Sequence, residues 1–216
     1  MTIAFQPAAP GNLIAQLCTR PDNSAYEICA ALVGGGSPVP QHTQQTVLAV
    51  EYFNASLGHY FLTVTPLEMA LLDAGVLFQG WERTGLSFWV YPADGSAPAG
   101  SNPVCRFYGR PEAGIDSHFY SASPQECQAV IDKFSWGWIL ESLAYFYAFL
   151  PTKDGGCPEA AGSVGAIVPL YRTYNNRPDA NHRFTTSQYI QELMQYSENW
   201  IPEGYGLYAV SMCLPY

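Results

Sequence analysis

"GHYFLTVTPLE", residues 58–68, returns as "SHFYSASPQE" at 117–126 and as "NHRFTTSQYIQE" at 181–192. Each copy runs from a histidine through a short alternating stretch into a hydroxyl residue that opens a helix. In "TPLE" and "SPQE" the hydroxyl stands at the N-cap, proline at the first helical position and glutamate at the third, a capping box with the proline preference added. The third copy departs from this, with Ile190 three places after Ser187. Internal similarity at this spacing decides the architecture, because repeated units too small to bury an apolar face alone must share a core.

Working outward, each copy is flanked by the same kinds of segment. "VEYFN" (50–54), "CRFYG" (105–109) and "YRTYN" (171–175) precede the histidines as aromatic strands. "GWERTGLSFWVYP" (80–92), "GWILESLAYFYAFLP" (137–151) and "NWIPEGYGLYAVSMCLP" (199–215) follow the helices as a tryptophan turn and a closing strand. The distance from histidine to turn tryptophan is 22, 20 and 18 residues. An aliphatic or aromatic pair follows each turn: Phe88 and Trp89, Tyr145 and Phe146, Leu207 and Tyr208. In the second helix Cys127, Val130, Ile131 and Phe134 share one face at i, i+3, i+4, i+7, which predicts packing on the strands.

The expected fold is α+β: three ββαβ repeats, about 49–92, 104–151 and 168–215, arranged with pseudo-threefold symmetry. The three-repeat domain spans 46–216. Residues 1–45 are expected to be an N-terminal appendage and linker, since "GGGSPVPQHTQQT" (34–46) has the Gly, Pro and Gln content of a connection.

Composition narrows the function. Charged residues make up 12% of the 216, against roughly 25% in ordinary soluble domains, while there are 15 Tyr, 11 Phe and 5 Trp. Contacts must then rely on neutral polar groups and ring faces. A net charge of −9 removes the attraction that dominates phosphate binding, so nucleic acid is not an expected partner. No apolar run reaches the length of a membrane span, and a monomer is expected.

Six cysteines, at 18, 29, 105, 127, 157 and 213, form an even set without CxxC or zinc-type spacing. Disulfides are the expectation, and with them an oxidising, extracytoplasmic compartment. Fifteen pairings are open. The repeat layout suggests a nested one: Cys18 with Cys29, Cys105 with Cys127, Cys157 with Cys213.

At these segments the chain resembles the DUF5648 repeat family, whose units read "YRxYN", "HFYTTS", a capped acidic helix and "GWxxEGxxFY". The resemblance runs over about 49–215 and implies three tandem copies. Its histidine falls on His59, His118 and His182, and its turn Trp on Trp81, Trp138 and Trp200. The Glu of its EG pair falls on Glu141 and Glu203, with Thr84 in the first unit, and its first-strand Arg on Arg106 and Arg172, with Glu51 in the first unit. Its Gly falls on Gly85 and Gly204, with Ser142 in the second. Such repeats are similar to accessory modules found beside secreted hydrolases, which implies attachment to an extracellular polymer and supplies no catalytic residue.

The histidines admit three readings. Each could cap its own loop by bonding a backbone carbonyl or an aspartate such as Asp116 or Asp179. Each could belong to a sugar pocket, with Phe61, Tyr120 and Phe184 two places on and sharing its strand face. Or the three could meet on the symmetry axis as a His₃ site for a divalent metal such as zinc. Glu68 and Glu126 are accounted for by helix capping. Glu141 and Glu203, three residues after a Trp, are either turn residues that bond backbone N–H groups or candidate catalytic acids. Trp89 and Trp136 do not recur and are candidate exposed platforms. "NAS" at 54–56 is a glycosylation sequon.

No GxSxG, HExxH, P-loop or GxGxxG segment occurs. The expectation is a secreted, noncatalytic binding module for an extracellular glycan or cell-wall polymer, through His59, His118, His182, Phe61, Tyr120, Phe184, Trp89 and Trp136. The alternatives are a secreted hydrolase, metal-dependent through the histidines or acting through Glu141 and Glu203, and a protein adhesion module.

Overall fold

The computed structural model describes residues 45–159 and 166–216 together with the backbone of three earlier strands. The chain divides into two compact units, Met1–Gln41 and His42–Tyr216. In the first unit, β1 (Thr2–Phe5), β2 (Leu13–Thr19) and β3 (Ile28–Gly34) form an antiparallel sheet in that order. Cys18 and Cys29 are Cα partners across β2 and β3; the expected bridge between their side chains lies outside the described residues.

The second unit is α+β and holds three small antiparallel sheets. In the first sheet, β4 (Val47–Asn54) runs between β5 (His59–Thr63) and β6 (Trp81–Val90), with α1 (Pro66–Ala74) between β5 and β6. In the second, β7 (Asn102–Gly109) runs between β8 (His118–Ser121) and β9 (Trp138–Ala148), with α2 (Pro124–Lys133) before β9. In the third, β10 (Ile167–Tyr174) pairs with β11 (His182–Thr185), β12 (Ile201–Glu203) and β13 (Val210–Pro215), and α3 (Gln188–Glu198) follows β11.

Alternation in the strands gives each sheet one apolar face, and the three faces meet in a shared core. Ala49, Leu62, Phe88 and Val90 come from the first sheet, Val104, Tyr120 and Phe146 from the second, and Leu170, Phe184, Met212 and Leu214 from the third. Backbone bridges from Tyr91 to Tyr147 and from Phe149 to Cys213 tie the closing strands together. The Cys105–Cys127 bridge staples β7 to α2, and Cys157–Cys213 ties the segment after β9 to β13. Both pairs are those the repeat layout suggested.

The helix caps follow the sequence only in part. Ser123 Oγ accepts from Glu126 N–H, and Ser187 Oγ from Ile190 N–H. Thr65 makes no side-chain cap and turns instead to the Tyr145 hydroxyl, 3.0 Å away. On α2, Cys127, Val130 and Ile131 pack inward as expected, but Phe134, past the last helical turn, is 46% exposed.

Two register details correct the sequence alignment. In the third sheet the closing strand starts later: Leu170 pairs with Met212, as Ala49 pairs with Phe88 and Val104 with Phe146. Leu207 and Tyr208 lie in a turn and are exposed, so they are not the counterparts of Phe88 and Trp89. Gly204 and Gly206 make this turn at positive φ, with no room for a Cβ against the backbone of Ala209 and Asp154.

The second correction concerns the opening histidine. Tyr108 pairs with His118 and Tyr174 with His182, but the matching pair in the first sheet is Phe53 with Tyr60. Ring contacts repeat the correspondence, at 4.6 Å for Phe53 and Tyr60, 5.0 Å for Tyr108 and His118, and 5.2 Å for Tyr174 and His182. His59 stands one residue earlier, in the place of Ser117 and Asn181. A one-residue offset turns a strand side chain to the opposite face, so the three histidines are not equivalent.

Candidate functional site

His59, Ser117 and Asn181 meet where three loops converge. Each follows a left-handed residue: Gly58, Asp116 and Ala180, at φ 66°, 42° and 49°. His59 Nδ1 lies 3.0 Å from the carbonyl oxygen of Asp116, and its Nε2 lies 3.1 Å from Asp179 Oδ2, out of line for a hydrogen bond. Asn181 donates to the Tyr60 carbonyl and to Ser117 Oγ, and accepts from Tyr60 N–H. His59 is 2% exposed and is committed to loop packing, but Asp116 and Asp179 reach it from the loops before His118 and His182 and not from its own loop.

His118 and His182 stand instead at two junctions between neighbouring sheets, built alike. At the first junction, Arg106 donates from Nε to Glu141 at 2.6 Å and from Nη1 to Glu68 at 2.9 Å. His118 Nε2 lies 3.3 Å from Glu141, and Phe61 of the first sheet packs on the His118 ring at 4.5 Å. At the second junction, Arg172 reaches Glu203 and Glu126, each at 3.0 Å. There His182 Nε2 is 3.3 Å from Glu203, and the Phe119 ring lies 5.1 Å from His182. Glu68 and Glu126 therefore reach across to arginines instead of closing their own capping boxes. Glu141 and Glu203 bind side chains, not the turn backbone expected of them.

Charge follows from this geometry. Burial pushes the Glu141 and Glu203 carboxyls up, but the adjacent His118 and His182 side chains and the arginine charges outweigh it and hold both below the usual carboxylate range. Burial likewise lowers His118 and His182, opposed by their glutamates, which favours neutral imidazoles near neutral pH. Arg106 is almost fully buried, its guanidinium 4.5 Å from the Tyr145 ring centre and 5.4 Å from that of Phe61.

The first junction opens into a cleft of about 580 Å³. Phe61, Trp81, Phe78 and Tyr108 supply ring surface, and Glu68, Glu141, Asp116, Arg106 and His118 supply polar groups. Of the ligand-binding and catalytic candidates named from sequence, Phe61, His118 and Glu141 line it. Tyr120 and Phe184 lie in the shared core, 1% and 4% exposed. Trp89 and Trp136 are exposed but lie outside the cleft lining. The sequon residue Asn54 is 3% exposed and donates its amide to the Gln79 carbonyl, so it offers no accessible nitrogen for a glycan. Among the described residues no group of three His, Cys, Asp or Glu side chains is arranged to hold a metal ion.

A family model described as a domain of unknown function, DUF5648, matches residues 34–148 and 156–213 in two segments. The chain belongs to the DUF5648 family. No curated protein and no solved structure matches it.

In this DUF5648 chain the third junction, between the third and first sheets, exchanges its charges. Glu51 stands in the place of Arg106, Tyr60 in that of His118, and Ile190 in that of Glu68. Arg183 stands in the place of Phe61. It pairs with Glu51 at 3.0 Å and lies 4.0 Å from the Tyr60 ring centre. Sequence reading missed Arg183, Glu68, Phe78 and Asp116 as site residues. Counting back from the helix cap, where His59 is six residues from Thr65 but His118 is five from Ser123, would have exposed the offset that brings Arg183 into line with Phe61. No helix among the described residues is long and apolar enough to cross a membrane.

Proposed function

We propose that this chain is a secreted, noncatalytic module that binds an extracellular glycan or cell-wall polymer in the cleft between the first and second sheets. The observation that carries the reading is the lining itself: four aromatic side chains beside a cluster of polar groups, in a volume of about 580 Å³. That lies within the usual range of small-ligand sites, roughly 300–1,000 Å³. Sugar rings present apolar C–H faces and hydroxyl edges, which suit ring surfaces beside hydrogen-bonding side chains. The two disulfides support an oxidising compartment.

The same reading takes the three sheets, each with its own helix, as ββαβ units about a pseudo-threefold axis. The left-handed residues at Gly58, Asp116 and Ala180 and the three sheet junctions support it. Only the junction lined by Phe78 and Trp81 is assigned as the binding cleft.

Hydrolysis is less well supported. A general acid needs a carboxyl that keeps its proton near the working pH, whereas Glu68 and Glu141 share Arg106 and both sit below the usual range.

Pull-down of the full chain on insoluble cellulose, chitin and peptidoglycan, together with a glycan array, tests the proposal. Retention on at least one polymer that is lost in Phe78→Ala is the expected result. Failure on all three with a blank array would overturn it and leave protein adhesion as the better reading.

A further inference from the structure

The cleft has an unusual balance of hydrogen-bonding groups. Its lining carries three carboxylates, Glu68, Glu141 and Asp116, against the one guanidinium of Arg106. That guanidinium is spent, since both glutamates and the faces of Phe61 and Tyr145 enclose it and its side chain is 6% exposed. Two of the donors are engaged as well: the Tyr108 hydroxyl donates to Asp116 Oδ1, and the Asn54 amide donates to the Gln79 carbonyl. Acceptors are left over. Glu141 uses only Oε2, for Arg106 and His118, and Asp116 uses only Oδ1. Neither second oxygen takes a hydrogen bond among the described residues.

A ligand that fits such a surface brings donors and positive charge and needs few donors in return. Resting on the glycan reading above, we propose that the cleft recognises amino sugars whose nitrogen is free and protonated, with the ammonium held by Glu141 and Asp116 beside the ring faces. An ammonium carries three donors and no acceptor, and aromatic faces add a weaker attraction to that of the carboxylates. Acetylation of that nitrogen removes the charge, and a neutral hexose never carries it. The net charge of −9 adds long-range attraction for a polycationic chain.

Titration calorimetry of the full chain at about pH 6, where a primary amine is protonated, with tetramers of glucosamine, N-acetylglucosamine and glucose, separates the possibilities. The glucosamine tetramer should bind at least about 10-fold more tightly than the other two, a gap of roughly 1.4 kcal/mol, and should weaken as salt is raised. Asp116→Asn, an exposed change in a left-handed position that asparagine tolerates, should narrow that preference and leave the melting temperature in place. Equal affinity for all three tetramers would overturn the amino-sugar assignment and leave the glycan reading standing. No binding of any tetramer, with no retention on the insoluble polymers, would remove both.

Discussion

Arg183 of the third sheet holds Glu51 of the first through paired contacts of 3.0 and 3.1 Å, with Glu51 3% exposed. At the other two junctions the arginine belongs to the central strand and the glutamates come to it. Here the central strand supplies the glutamate and its neighbour the arginine. Five changes of residue type, at Glu51, Tyr60, Thr84, Arg183 and Ile190, form one compensated set, because an Arg at 51 facing Arg183 would leave two buried cations together.

Breaking this pair should be expensive and removing it whole should not be. Arg183→Met or Glu51→Met strands a buried charge and is expected to cost about 3–5 kcal/mol, while replacing both by methionine is expected to cost far less. Urea denaturation of the two single variants and the double methionine variant reads this directly. Losses that simply add would show that the residues are not coupled.

Acid should weaken the fold in two steps. The folded-state pKa values of His118 and His182 lie below 6.5, chiefly because burial disfavours the imidazolium. The unfolded chain therefore takes up protons first, and stability present above pH 6.5 falls as pH drops toward the folded values. The carboxyls of Glu68, Glu126, Glu141 and Glu203 are also lowered, from 4.5, where arginine and histidine contacts outweigh burial. Their contribution is complete above pH 4.5 and is lost below it, through the folded values. Urea midpoints between pH 3 and 8 should show both declines, and the variant His118→Gln, His182→Gln should lack the first.

The two bridges should not be equal. Cys105–Cys127 closes a separation of 22 residues and Cys157–Cys213 one of 56. On chain entropy the longer loop stabilises by about 0.8 kcal/mol more, on top of the roughly 3 kcal/mol typical of either bridge. Paired Cys→Ala variants compared in guanidinium test the order, and a larger loss at Cys105–Cys127 would contradict it.

Much of the fold was legible because its signals are local. Proline after a hydroxyl marks α1 and α2, and the Trp turn marks the start of β6, β9 and β12. The nested pairing of Cys105 with Cys127 and of Cys157 with Cys213 followed from the same layout. The histidine alignment misled because the segment of the first sheet has one extra residue between histidine and helix cap, and residue type gives no hint of which face results. The closing strand of the third sheet was misplaced because the Gly204–Gly206 turn delays it, a delay those two glycines signal. The arginine–glutamate junctions were not legible at all: Glu68 and Arg106 lie 38 positions apart, and nothing local to either names the other. The open cleft is likewise a product of how two sheets meet.

Surface aromatics give a further check on where binding occurs. Phe78 is 46% exposed at the cleft, while Trp136 is 67% exposed outside its lining. Phe78→Ala should lower affinity for a bound glycan by about 10-fold, in the range of a truncated contact residue, and Trp136→Ala should leave it unchanged. Calorimetry on both variants distinguishes a cleft from an exposed platform.

The most direct test of the cleft follows the five tryptophan side chains by ¹H–¹⁵N correlation while a glucosamine tetramer is added to the full chain, each indole signal being assigned by single substitution. The cleft predicts that the Trp81 signal shifts progressively and saturably while those of Trp89 and Trp136 stay in place. Shifts at Trp89 or Trp136 with Trp81 unmoved, under conditions where calorimetry detects binding, would contradict it.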